Sequence, residues 1–240
     1  MMTEKPKSLA ELTDQIRSYL AHLREMGFCG VDCSDETVKR VNGWGMPPAG
    51  QAESLHAICA DLKICAQCEL ARSWPQAVSG AGVPGATLMF IGDWPEPEDK
   101  NSGVPFSGGA GELLTRMLKA MGFTRSSVYI SHAVKCGPPA GSSPDMQALR
   151  LCRRFLQREI AVVAPEIICT LGDVALKALL GEGAACESDR GCFYHYQGIP
   201  VMPTFSPGYL LAHPAAKRET WHDMKQVLAR LNRQPPGKSG

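Results

Sequence analysis

Three short apolar runs constrain this chain more than any other feature: TLMFIGD (87–93), VYISHAV (128–134) and EIICTLG (166–172). Each leads into a segment with helical spacing of apolar residues, namely AGELLTRMLKAMG (110–122), a stretch from about Pro144 to Ala164, and residues 173–180. Apolar strands alternating with amphipathic helices predict a three-layer α/β/α sandwich with a central, mainly parallel sheet. FYHYQ–GI–PVMPTF adds a hairpin or two short strands, and a last helix is expected over roughly 214–232. In such folds the functional loops lie at the carboxyl ends of the strands. That brings together the loops Gly92–Gly109, His132–Ser143 and Ser206–His213.

Upstream, a helix over 53–63 leads into Cys65, and SLAELTDQIRSYLAHLREM (8–26) reads as an amphipathic helix with Ser8 as its N-cap;. Residues 29–52 carry Gly, Pro, Asp and Ser without a period and read as a linker;. The expected organisation is therefore an N-terminal helix and linker over 1–52, an α/β domain over 53–232 and a flexible tail over 233–240. A hydrophobic fraction of 44% with a net charge of +1 excludes global disorder and a uniformly basic nucleic-acid binder;. Two local basic runs remain, Arg150–Arg158 and the final helix, and the plainer reading of each is a solvated helix face;. No apolar stretch reaches the roughly 18 residues of a membrane span. With no apolar leader at the start, a cytoplasmic location and no membrane partner are expected.

In a reducing compartment the 10 cysteines point to metal, cluster or redox chemistry;. Cys65 and Cys68 form a C-x2-C clip, Cys136 follows the second strand, and Cys152 lies on the next helix. Four thiolates can close a tetrahedral zinc site or hold a [4Fe–4S] cluster, and spacing alone does not choose between them. Cys169 sits inside an apolar strand and reads as core, while Cys29, Cys33, Cys59, Cys186 and Cys192 have no partner pattern;.

From about Cys65 to Leu231 the chain resembles the family 4 (iron–sulfur) uracil-DNA glycosylases. The resemblance rests on the C-x2-C clip, on GDWP followed by GVPFSGGAGELL, on VKCGPP with a cysteine downstream, and on PTFSPGYLL. It implies a [4Fe–4S] cluster on Cys65, Cys68, Cys136 and Cys152 with a structural role. It also implies DNA across the carboxyl-end loops, a target nucleotide flipped into a pocket, and a bacterial or archaeal, nucleoid-associated monomer.

Breaking the N-glycosidic bond of deoxyuridine builds positive charge on the sugar and negative charge on the base. By resemblance Phe106 is the stacking aromatic, with Gly92 and Trp94 at the pocket, and Asp93 stands where the family has a glutamate acting on water and sugar; because Asp93 ends a strand, a capping or turn role is its rival reading. Leu210 and Leu211 would wedge into DNA, with His213, Lys217 and Arg218 on its backbone. Three departures mark this chain. Ser206 replaces the histidine that stabilises the uracil anion, His132 replaces the asparagine that reads the uracil edge, and Trp94 and Glu96 replace small residues. One expectation is a coupled swap, in which His132 delivers the donor that Ser206 no longer supplies; the other is that His132 is only a satisfied strand-end histidine. Altered base reading also admits hypoxanthine or xanthine as substrate. The leading expectation is a monofunctional glycosylase acting on uracil or another deaminated base. The competing one is a catalytically weak or inactive iron–sulfur protein that binds DNA and senses damage through the arginine run. An iron–sulfur electron carrier is the least supported reading, since it leaves the Gly/Pro/Phe loop without a purpose.

Overall fold

The computed structural model describes residues 53–74 and 76–236. The helix and linker expected over 1–52 lie outside the described residues, as do the final four residues of the tail. Helices α1 (Leu55–Lys63) and α2 (Glu69–Ser73) come first, then strands β1 (Ala81–Gly82) and β2 (Leu88–Gly92). Helices α3 (Pro97–Ser102) and α4 (Gly109–Ala120) precede β3 (Tyr129–His132), α5 (Met146–Val163) and β4 (Ile167–Leu171). There follow α6 (Asp173–Leu180), α7 (Cys186–Asp189), β5 (Tyr194–Tyr196), β6 (Ile199–Thr204), α8 (Pro207–Ala212) and α9 (Lys217–Arg230).

The six strands form one sheet in the order β1-β3-β2-β4-β6-β5. The four central strands are parallel, and β1 and β5 are antiparallel edges. Every residue of β2 and β4 is buried, as the unbroken apolar runs require of strands covered on both faces;. Alternation along β2 divides the core. Met89 and Ile91 pack with Leu156 and Ile160 of α5 and Leu179 of α6. Leu88 and Phe90 pack with Leu114 and Leu118 of α4 and Met224 and Leu228 of α9. The three-layer sandwich expected from the sequence is what the chain forms, and the hairpin over FYHYQ–GI–PVMPTF is β5 pairing with β6.

The chain leaves β2 toward β3 on one side and leaves β4 toward β6 on the other. The carboxyl ends of β2 and β4 therefore flank the switch point where open α/β sheets form a ligand crevice. Among the described residues no helix is long and apolar enough to cross a membrane.

Candidate functional site

Asp93 is the first residue after β2, and its Oδ1 accepts the N–H of Ala175, in the first turn of α6, at 2.8 Å. It thus spans the switch point and caps an adjacent helix from outside, a placement open because Gly172 has no Cβ to collide with the carboxylate. Burial pushes the Asp93 carboxyl up to about 7, and the like charge of Asp173 adds to the rise. The Ala175 N–H opposes it by stabilising the carboxylate;. A half-buried carboxyl titrating near neutrality can take a proton from water.

The loop after Asp93 is held by Asp99, a residue the sequence reading passed over because it falls in the gap of the first motif. Asp99 is 1% exposed. Its Oδ1 accepts the Ser107 N–H at 2.6 Å, and its Oδ2 accepts the Glu96 N–H at 3.1 Å. The second bond closes a capping box with Glu96 as N-cap of α3, a pattern that EPED spells in the sequence;. Between these anchors Phe106 takes a left-handed backbone, φ 57°, and its carbonyl crowds Gly111 so closely that no side chain fits there.

His132, at the end of β3, is 2% exposed, and its Nε2 lies 3.2 Å from Asp99 Oδ2. Both Asp99 oxygens already accept backbone N–H groups, so the carboxylate receives a third and His132 donates from Nε2. Burial, with Lys135 nearby, lowers the imidazole pKa to about 3, so the ring is neutral at working pH. Its only N–H is spent on Asp99, which overturns the coupled swap: His132 has no proton left for a leaving anion. Its ring also stacks on Phe106 with centroids 4.6 Å apart. A base between two rings needs about twice the separation of one stacked pair, so the space between Phe106 and His132 holds none as they stand. Gly92 lies against both, and a Cβ there would come 2.9 Å from His132 Nδ1 and nearer still to the Phe106 ring.

Ser206 is the N-cap of α8, its Oγ accepting the Tyr209 N–H at 3.2 Å, which leaves its own O–H free to donate;. Leu210 is 1% exposed and belongs to the interior, which corrects the expectation that both leucines form a wedge. Helix α8, capped by Ser206 and opened by Pro207, turns Leu210 inward and leaves Leu211 45% exposed. Tyr209, also unremarked in the sequence, stacks on Phe205 at 4.7 Å and on His213 at 4.1 Å, an i, i+4, i+8 column that reaches past both ends of α8. His213, Lys217 and Arg218 are all exposed beside it. Trp94 is half-buried and packs onto the α5 side of the core instead of standing clear at a pocket mouth.

The four cysteines Cys65, Cys68, Cys136 and Cys152 line one cavity whose remaining walls include Leu62, Val134, Leu151 and Phe155. A thiol-only donor set in apolar surroundings suits a soft metal centre. Burial pushes Cys136 up to about 12, with Cys152, Cys68 and Cys65 adding to the rise, and pushes Cys152 up to about 11, where Lys135 opposes it and Cys68 and Cys65 add. Among the described residues no three His, Cys, Asp or Glu side chains converge tightly enough for a single ion. Four thiols in one apolar cavity are a donor set that either a [4Fe–4S] cluster or zinc can take.

Lys135 is 1% exposed, its Nζ 2.5 Å from Glu159 Oε2 and 2.6 Å from Ser131 Oγ. The arginine run is partly consumed in structure: Arg158 bonds Glu53 and Asp61 at 2.6 Å each, clamping α1, and Arg150 pairs with Glu182.

The central parallel sheet, with a carboxylate across its switch point and a glycine-rich aromatic loop beside it, is an arrangement that comparison with known proteins assigns to a family. The profile of the uracil DNA glycosylase superfamily matches residues 79–225, and the chain belongs to that superfamily. Within it the similarity runs to type-4 uracil-DNA glycosylases. The one from Sulfurisphaera tokodaii is 34% identical over 73% of this chain and 84% of its own. The one from Saccharolobus solfataricus is 32% identical over 76% of this chain and 89% of its own. That of Thermotoga maritima is 34% identical over 66% and 84%.

Proposed function

We propose that this protein excises uracil from DNA in repair, hydrolysing the N-glycosidic bond and leaving an intact abasic strand. The observation that carries the reading is Asp93 at the switch point, with its pKa raised to about 7. Ionised, it stabilises the sugar cation and takes a proton from the water that adds to C1′. Ser206 O–H donates toward the departing base, Phe106 stacks on it, and His132 reads its edge. Leu211, His213, Lys217 and Arg218 hold the strand from the exposed face of α8 and α9. No amine nucleophile is called for, which agrees with Lys135 being buried against Glu159. Cys65, Cys68, Cys136 and Cys152 hold a [4Fe–4S] cluster. These cysteines, from the α1–α2 loop, the segment after β3 and α5, would be tied together by such a group, which would supply no step of the hydrolysis.

The test is release of free uracil from single- and double-stranded oligonucleotides carrying one deoxyuridine, with hypoxanthine and xanthine in parallel. Free uracil with an uncut, alkali-labile strand is the expected result, and no released base from any substrate refutes it. The 4.6 Å Phe106–His132 contact favours a second reading, a silent damage-binding homologue. That reading predicts salt-sensitive DNA binding without turnover.

A further inference from the structure

The loop that begins at Asp93 is held from outside the pocket at two backbone points. At Asp93 itself the carbonyl accepts the N–H of Val134, 3.1 Å away, and Val134 lines the cysteine cavity. Two residues on, the Pro95 carbonyl lies against Gly137, the residue after Cys136, so closely that a Cβ on Gly137 would stand 2.7 Å from it. The same Cβ would stand 2.5 Å from Cζ3 of Trp74. At Gly137, then, the Asp93 loop, the segment after β3 and the Trp74 ring meet, and the missing side chain is what lets them close on one another.

Trp74 ends the helix that the C-x2-C clip begins. Cys68 is the N-cap of α2 and Trp74 its C-cap, with the Trp74 N–H on the Leu70 carbonyl at 2.8 Å. The ring is 9% exposed, and Lys100 of α3 covers it, Nζ 4.9 Å from the ring centre. The first turn of α3 holds Asp99. The indole N–H is buried and makes no hydrogen bond. A buried donor without a partner is unfavourable, so what the ring contributes at this place is packing and not a polar contact.

We propose, resting on the base-excision reading above, that Trp74 is a positioning residue for Asp93: set between Gly137 and Lys100, it braces the Asp93 loop against the cysteine-lined wall. The Ala175 N–H fixes the tip of the carboxylate, and the brace fixes the backbone behind it. A misplacement of about 1 Å in a reacting group is worth roughly 10²-fold in rate, so the backbone matters as much as the tip. Trp74 touches no substrate atom and acts through Gly137 and the loop. Alanine in its place leaves a void beside Gly137 and uncovers Lys100. Phenylalanine fills most of that void and lacks only an N–H that bonds to nothing.

The experiment is amide hydrogen exchange read by mass spectrometry, without DNA, on full-length wild type, Trp74→Ala, Trp74→Phe and Gly137→Ala at equal metal content, with single-turnover uracil release alongside. In Trp74→Ala the amides of residues 93–107 are expected to exchange about 10-fold faster while those of β4 keep their wild-type rate. Its saturating rate of uracil release falls roughly 10²-fold, and the DNA concentration giving half that rate stays near the wild-type value. Trp74→Phe restores both readouts. The Gly137 backbone is not left-handed and admits alanine, so Gly137→Ala keeps the indole yet forces it and Pro95 apart, loosening the same residues. That variant decides the matter where Trp74→Ala does not fold. Unchanged exchange over 93–107, an equal acceleration in β4, or a phenylalanine variant as loose as the alanine one overturns the inference. Wild-type protein that releases no uracil counts against the proposed function, whereas the exchange comparison still decides whether Trp74 holds the loop.

Discussion

The Asp93 carboxylate and the Ala175 amide meet at 2.8 Å across the gap between the carboxyl ends of β2 and β4. One oxygen is thereby fixed at the point where the sheet opens its crevice, while burial keeps the group from ionising until about neutral pH. The same bond makes Asp93 a helix cap, so its structural and chemical roles must be separated by measurement.

Linkage offers one separation. The folded pKa of about 7 lies above the ordinary 3.8. The protonated group thus contributes stability that is fully present below the unfolded value and lost as pH rises toward 7. Asparagine does not titrate and keeps a carbonyl for the Ala175 N–H. The melting temperature of Asp93→Asn relative to wild type therefore climbs from pH 4 to pH 8, read by thermal denaturation across that range. A flat difference would place the Asp93 pKa at its ordinary value.

The two adjacent leucines are predicted to behave oppositely. Leu210, 1% exposed, is core, and Leu210→Ala is expected to cost about 2–5 kcal/mol in denaturant unfolding;. Leu211, 45% exposed, is not, and Leu211→Ala keeps its stability while weakening DNA binding in a fluorescence anisotropy titration.

Removing a cysteine of the shared cavity affects two readouts together. Cys65→Ser or Cys136→Ser is predicted to give colourless protein without stoichiometric iron and with a lower melting temperature, since the cavity joins α1, α2, the segment after β3 and α5. Cys192→Ser, at an exposed position away from that set, changes neither.

Gly92→Ala places a Cβ 2.9 Å from His132 Nδ1 and against Phe106. It is expected to leave the fold intact and to lower uracil release at least 10-fold by displacing Phe106. Near-wild-type release would mean that the space beside Gly92 is not used.

The sheet and its helices were legible because strands such as LMFIG (88–92) are apolar throughout and α4 and α5 repeat at helical spacing. The short α3 and α8 were not, since each is six residues long and made by a cap and a proline, not by periodicity. At the site, the motifs identified which residues gather, but not which way they face. Leu210 and Leu211 are equivalent on paper and differ only in the side of α8 they occupy. Asp99 carried no signal as a site residue because its partners, Ser107 and His132, are 8 and 33 positions away. Of the two readings of His132, the donor fails for the same reason: the proton it holds is assigned by a carboxylate that only folding brings to it.

The central claim is that Asp93 drives base excision, and single-turnover release of uracil from a deoxyuridine oligonucleotide tests it most directly, comparing wild type with Asp93→Asn from pH 5 to pH 8. The account predicts a wild-type rate that rises with pH and levels near 7, and a variant slower by about 10²–10⁴-fold with no such rise. Equal rates for the two proteins, or a wild-type rate independent of pH across that window, would contradict it.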